Sequence, residues 1–240
     1  MKALIVALIG VLLVSCGKKD RVPDLRFDTS YTLYSPTVPS NGKRVYLIHG
    51  SLKYSRVQWE HPVFKPFVDN LVANGYEVIT FDLPHFYSEY FYDGGLNYRA
   101  GFQNQLRTII SNVETDHGVM NSIVGGFSFG GLHAMIAMSD ISDIFQAYFA
   151  ILPVVEMTAL TELKGMASTH FNPKHEIAVL ETKPGLISWG TLDFRVNYQH
   201  SIDLVNLMNP ANVTAIEYVG LDHTTNPQVV ADTLTWIQGL

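Results

Sequence analysis

The sequence has one cysteine, Cys16, among 240 residues, so no disulfide can form within the chain and packing must hold any fold together. Charge is sparse: Asp, Glu, Lys and Arg make up 16%, and acids outnumber bases 22 to 16, for a formal net charge of -6. That balance offers no Lys/Arg stripe to follow a phosphate backbone, so nucleic acid is not an expected partner. Phosphate-cradling glycine loops and dinucleotide fingerprints are missing, and no cofactor is expected. His170 and His175 have no cysteine or paired acid at ligand spacing, and no metal is expected. Internal repeats are absent. What remains is a 47% apolar chain, enough for one buried sheet in one domain.

Residues 1–15 join a positive start at Lys2 to an apolar run over 3–14. The run is shorter than the roughly 20 residues of a membrane-spanning helix, and reads as a cleaved export signal. It ends Leu13-Val14-Ser15-Cys16, which resembles the lipobox of bacterial lipoproteins. The resemblance implies cleavage before Cys16 and lipid attachment on it, with a membrane as the partner held through that lipid. Gly17 in place of an aspartate points, within the same resemblance, to the outer membrane. Without a lipid the expectation is a periplasmic or secreted protein. Residues 16–40 are polar and carry Pro23, Pro36 and Pro39, as a tether does; within them 31–34 has the β-type residues of an edge strand. The main domain is expected over 41–240.

Beyond the tether two periodicities alternate. Short β-rich runs fall at 44–48, 76–81, 122–126, 147–155, 185–189 and 213–219. Helical spacing of apolar residues falls at 62–73, 97–116, 132–138, 196–208 and 227–238. Alternation of this kind predicts an α/β fold, a mainly parallel sheet with helices on both faces and right-handed crossovers. The polar stretch 156–184 interrupts the pattern and is a candidate lid.

Gly126-Phe127-Ser128-Phe129-Gly130 lies between a buried-strand run and an apolar helix. Glycines on both sides suit a tight strand-to-helix turn that lifts a serine hydroxyl clear of the sheet above a helix N-terminus. A serine needs a base, and the base needs a carboxylate to set its tautomer. Asp193 follows the strand at 185–189 and His223 follows the strand at 213–219, so all three residues fall on loops at one edge of a parallel sheet. Asp222 is the competing acid, but sequence neighbours rarely face each other correctly. His133, on the helix after Ser128, reads as a packed or solvent-edge side chain, not a catalytic one.

Taken together, the chain from about Arg44 onward resembles the α/β-hydrolase superfamily. The serine, aspartate, histidine order matches that family's, as do His49-Gly50 after the first main strand, Trp59, Gly75 and Asp82-Leu83-Pro84. The resemblance implies Ser128 as nucleophile, His223 as base and Asp193 as the acid that orients it. It implies an oxyanion hole from the N–H of Phe129 and of Ser51 or Leu52, with His49 shaping that loop. One segment departs from the pattern: His85, Phe86 and Tyr87 stand where relatives have a glycine-rich turn, and with Tyr90, Phe91 and Tyr92 they would crowd the pocket mouth. The implied activity is hydrolysis of a small acyl ester or thioester through an acyl-enzyme. Alternatives are a silent hydrolase scaffold used for binding by a membrane-anchored lipoprotein, and an acyltransferase or peptidase of the same fold. Oligomeric state is not legible.

Overall fold

The computed structural model of the chain describes residues 28–50, 55–83, 95–156, 170 and 172–240. Residues 1–15, expected as an export signal, Cys16, Ser51, Leu52, the aromatic run from Phe86 to Tyr92 and residues 157–169 lie outside the described residues. No helix among the described residues is long and apolar enough to cross a membrane.

Among the described residues seven strands form one sheet: β1 (Tyr31–Tyr34), β2 (Lys43–Ile48), β3 (Glu77–Phe81), β4 (Asn121–Phe127), β5 (Phe145–Ile151), β6 (Gly185–Gly190) and β7 (Val213–Tyr218). Their spatial order is β1-β3-β2-β4-β5-β6-β7, parallel throughout except for β1, which runs antiparallel to β3. Tyr31–Tyr34 therefore belongs to the sheet as an edge strand, and the fold begins about ten residues before the expected boundary at 41. Both neighbours of β2, namely β3 and β4, follow it in sequence, so the chain changes winding direction at β2. A crevice opens at such a switch point beyond the strand C-termini.

The strands alternate apolar residues between two cores, as a sheet covered on both sides requires. Val45 and Leu47 of β2, with Ile123 of β4 and Phe149 of β5, face a core closed by α1 (Lys65–Ala73) and α6 (Pro227–Gln238). Tyr46, Ile48, Val124 and Tyr148 face the opposite core. That second core is closed by α2 (Leu96–His117), α3 (Phe129–Asp140) and α5 (Gln199–Asn206). The start of α6 is locally encoded: Pro227 sits in its first turn, and the Asn226 side chain accepts the Val229 N–H at 2.9 Å.

Residues 172–184 of the stretch expected as a lid are built into the body instead. They include a short helix, α4 (Ile177–Leu180), and Pro173 and Leu180 are buried. Glu176 accepts from Ser139 of α3 and from Arg99 of α2, and Arg99 also holds Asp140. A carboxylate bound this tightly to two neighbouring helices does not belong to a part that swings away.

At the opposite end of the strands, Arg44 is fully buried where β2 begins. Its guanidinium donates to one Glu77 carboxylate oxygen from Nε (2.9 Å) and Nη2 (2.6 Å), and to the Gly118 carbonyl (3.0 Å). Removing one partner of a buried pair strands the other charge without water. Glu77→Ala is expected to lower the free energy of unfolding by about 3 kcal/mol, read as a shift in denaturant midpoint. The double replacement Arg44→Met with Glu77→Leu should recover most of that loss.

Candidate active site

Ser128 links β4 directly to α3 and takes φ 57°, ψ -118°, a left-handed conformation unusual for a residue with a Cβ. Such a conformation costs about 1–3 kcal/mol and persists only where the surroundings impose it. Here they do. The Ser128 N–H donates to the Ile151 carbonyl at 2.8 Å, and its carbonyl accepts the N–H groups of Gly131 (3.0 Å) and Val154 (3.1 Å). The glycines of the motif have a steric reason. A methyl at Gly130 would stand 2.1 Å from the Ile48 carbonyl oxygen and 2.5 Å from that of His49. One at Gly126 would stand 2.4 Å from the Gly130 carbonyl group. The first turn of α3 thus presses on the end of β2, and any side chain there would push the serine away.

The structure brings Ser128, His223 and Asp193 together. His223 Nε2 lies 2.8 Å from Ser128 Oγ, and Nδ1 lies 2.7 Å from Asp193 Oδ2. A carboxylate oxygen accepts, so the proton sits on Nδ1 and leaves the Nε2 lone pair facing the hydroxyl. Asp193 is buried, and its other oxygen accepts from the N–H groups of Arg195 (3.0 Å) and Val196 (2.9 Å). Three hydrogen bonds compensate its removal from water. Asp222 is exposed and contributes only its carbonyl, which accepts the Thr224 N–H. The Asp193 and His223 loops are also tied to each other: Leu192 N–H donates to Leu221 O at 2.9 Å, and Gly220 N–H to Thr191 Oγ1 at 2.9 Å.

A cavity of about 170 Å³ opens at Ser128, walled by Gln58, Phe64, Phe127, Arg195, His223 and Thr224. The His223 ring packs on Phe127 with centroids 5.0 Å apart, and Phe127 on Phe64 at 5.0 Å. Gln58 was not legible as a site residue: its Oε1 accepts the Gly50 N–H at 2.6 Å and so holds the loop that follows β2. His49 is bound away from the serine. Leu83 N–H donates to its Nε2 at 2.9 Å, which places its proton on Nδ1, 2.8 Å from the Gly50 carbonyl. Phe129 is the first residue of α3. Among the described residues no three His, Cys, Asp or Glu side chains converge as metal ligands would.

No protein-family model matches the chain, and no curated protein matches it in sequence. Solved structures do match. Est1E from Butyrivibrio proteoclasticus, with ferulic acid bound, superposes with a TM-score of 0.67 at 16% identity over 88% of this chain and 93% of that one. An esterase of Pyrococcus furiosus gives 0.61 at 18% identity, covering 88% and 89%. FphF, a fluorophosphonate-binding serine hydrolase of Staphylococcus aureus, gives 0.63 at 17% identity, covering 87% and 91%. The chain has the α/β-hydrolase fold. At these identities the likeness establishes architecture and leaves chemistry to the residues.

In the α/β-hydrolase fold of this chain, the helix behind the serine carries an unusual buried group. His133 is fully buried on α3, its Nδ1 2.8 Å from the Phe129 carbonyl and its Nε2 2.9 Å from the Tyr98 hydroxyl. The carbonyl can only accept, so Nδ1 carries the proton and Nε2 accepts from Tyr98. Burial drives its pKa from 6.5 down to about 3, and burial lowers that of His49 as well. Below pH 6.5 the unfolded chain binds a proton at residue 133 that the folded chain refuses until about pH 3. Stability from this group is therefore complete above 6.5 and falls as pH drops through that window. Wild type should lose about 2 kcal/mol from it between about pH 7.5 and about pH 5. His133→Gln, which cannot titrate, should flatten the dependence of the unfolding free energy on pH by that amount.

Proposed function

We propose that this protein is a serine hydrolase that cleaves a carboxylic ester or thioester, with Ser128 as nucleophile, His223 as base and Asp193 as its orienting acid. The observation that carries the reading is the unbroken chain from the Ser128 hydroxyl through both His223 nitrogens to the buried Asp193. In the first half-reaction Ser128 Oγ attacks the carbonyl carbon while its proton passes to His223 Nε2. The tetrahedral intermediate then collapses, the bond to the leaving group breaks, and that proton goes to the departing oxygen or sulfur. In the second half-reaction water loses a proton to His223 and attacks the acyl carbon, and Ser128 departs with the proton restored. Asp193 stabilises the transient imidazolium, and its two backbone N–H partners keep it aimed at Nδ1.

The negative charge that develops on the carbonyl oxygen needs donors in place beforehand. The N–H of Phe129, at the positive end of α3, is one assigned donor; the N–H of Ser51 or Leu52 is the second. Gln58 supports the second indirectly by holding Gly50. Serine reactivity rather than binding alone is favoured by the left-handed backbone at Ser128, which a passive scaffold has no need to keep.

We further propose that residues 1–15 are removed on export and that Cys16 carries the lipid that holds the domain at a bacterial membrane, the outer one by the Gly17 argument.

Ser128→Ala is expected to abolish hydrolysis of p-nitrophenyl butyrate and covalent labelling by a fluorophosphonate. Asp193→Asn should keep the fold and lower kcat by about ten-thousandfold, because the amide presents the wrong partner to Nδ1. Wild type that neither turns over esters nor takes the label would remove the hydrolase reading. Incorporation of radioactive palmitate into wild type but not into Cys16→Ser checks the anchor.

A further inference from the structure

The chain is acidic, and four of the arginines among the described residues are paired with acids. Arg44 meets Glu77 at 2.6 Å, Arg56 meets Asp82 at 3.8 Å, and Arg107 meets Asp143 at 3.6 Å. Arg99 is shared between Asp140 and Glu176. Arg195 differs from these. Among the described residues its guanidinium forms no ion pair, although acids outnumber bases across the chain. Its position is not arbitrary, because it lines the cavity at Ser128.

Among the described residues, no Asp or Glu contributes to the wall that would compensate the charge. Beside Ser128 and His223, the other polar side chains are engaged with backbone: Gln58 accepts from Gly50, His61 Nδ1 accepts the Val63 N–H at 3.3 Å, and Thr224 donates to the Thr225 carbonyl at 3.4 Å. The walls otherwise present Phe64, Phe127 and Val63, and Arg195 is itself exposed, so its charge is open to an incoming anion as well as to water. The position of Arg195 is also held. Its N–H is bound to the Asp193 carboxylate, so the loop that sets the orienting acid sets the root of this cation as well. A guanidinium presents a planar fork of donors matched to two oxygens of one carboxylate.

Resting on the hydrolase reading above, we propose that the substrate is an ester that itself bears a carboxylate, and that Arg195 is the residue that selects it. The anion pairs with Arg195 while the scissile carbonyl sits over Ser128, so the charge fixes the orientation of the ester in the cavity. Neutral esters of equal length enter the same cavity without that anchor.

Two pairs of esters test this, one for each side of the scissile bond. Mono-p-nitrophenyl adipate against p-nitrophenyl hexanoate places the carboxylate in the acyl part. 4-Acetoxybenzoate against its methyl ester places it in the leaving group. Wild type should favour the anionic member of at least one pair in kcat/KM by about tenfold, the scale of a hydrogen bond to a charged group. That ratio should fall towards one in Arg195→Gln, persist in part in Arg195→Lys, and shrink with added salt. Fluorophosphonate labelling of Arg195→Gln at the wild-type rate shows that its serine remains reactive, so that a lost ratio reports selection. Ratios near one for both pairs in wild type, or a ratio that survives Arg195→Gln, would overturn the inference and leave the hydrolase reading standing. Failure of wild type to hydrolyse any of the four, together with no labelling, would sink the hydrolase reading and this inference with it.

Discussion

Backbone meets backbone where the first turn of α3 lies against the end of β2, and the geometry of the site follows from that contact. Gly130 has no room for even a methyl beside the Ile48 and His49 carbonyls, and Gly126 none beside Gly130. With those atoms in contact, the residue between strand and helix must turn through a left-handed conformation, and Ser128 does. The contact also spans the switch point between β2 and β4, so the serine rises into the crevice that the topology opens.

Around that contact the polar groups form continuous chains instead of isolated pairs. Ser128, His223 and Asp193 make one chain, ended by two backbone N–H groups. Leu83, His49, Gly50 and Gln58 make another, which joins the loop after β2 to the end of β3 and to the short helical turn at Arg56–Glu60. Tyr98, His133 and the Phe129 carbonyl make a third beneath the helix. In each, the direction of the hydrogen bonds fixes which histidine nitrogen holds the proton. Burial without such partners would be costly, and burial with them leaves rigid walls around a small cavity.

Much of this was legible. Apolar runs marked β2, β4 and β6 to within a residue or two, because a strand buried on both faces is apolar along most of its length. Helix α6 runs over Pro227–Gln238, the span that the spacing of its apolar residues marked. Edges went astray where loops of the site took over. The run at 147–155 ends as a strand at Ile151, since Leu152 turns to φ 46° and Val154 bonds the serine carbonyl. The helix expected from 196 starts at Gln199, since Arg195 and Val196 are spent on the Asp193 carboxylate. Residues 172–184, expected as part of a lid, belong to the body, because polar composition does not distinguish a mobile cover from a segment whose charges, like Glu176, are paired with it.

By itself the sequence determined which residue types stand at the strand ends and in what order, because period and glycine placement are local properties of the chain. It therefore carried the parallel sheet, the turn at Ser128 and the loops bearing Asp193 and His223. Only the tertiary structure decided which polar atoms have partners, because pairing depends on side chains far apart in the chain. That is why Gln58 at the Gly50 amide and the cation of Arg195, without an ion pair among the described residues, became visible only when β2, β4, β6 and β7 were side by side.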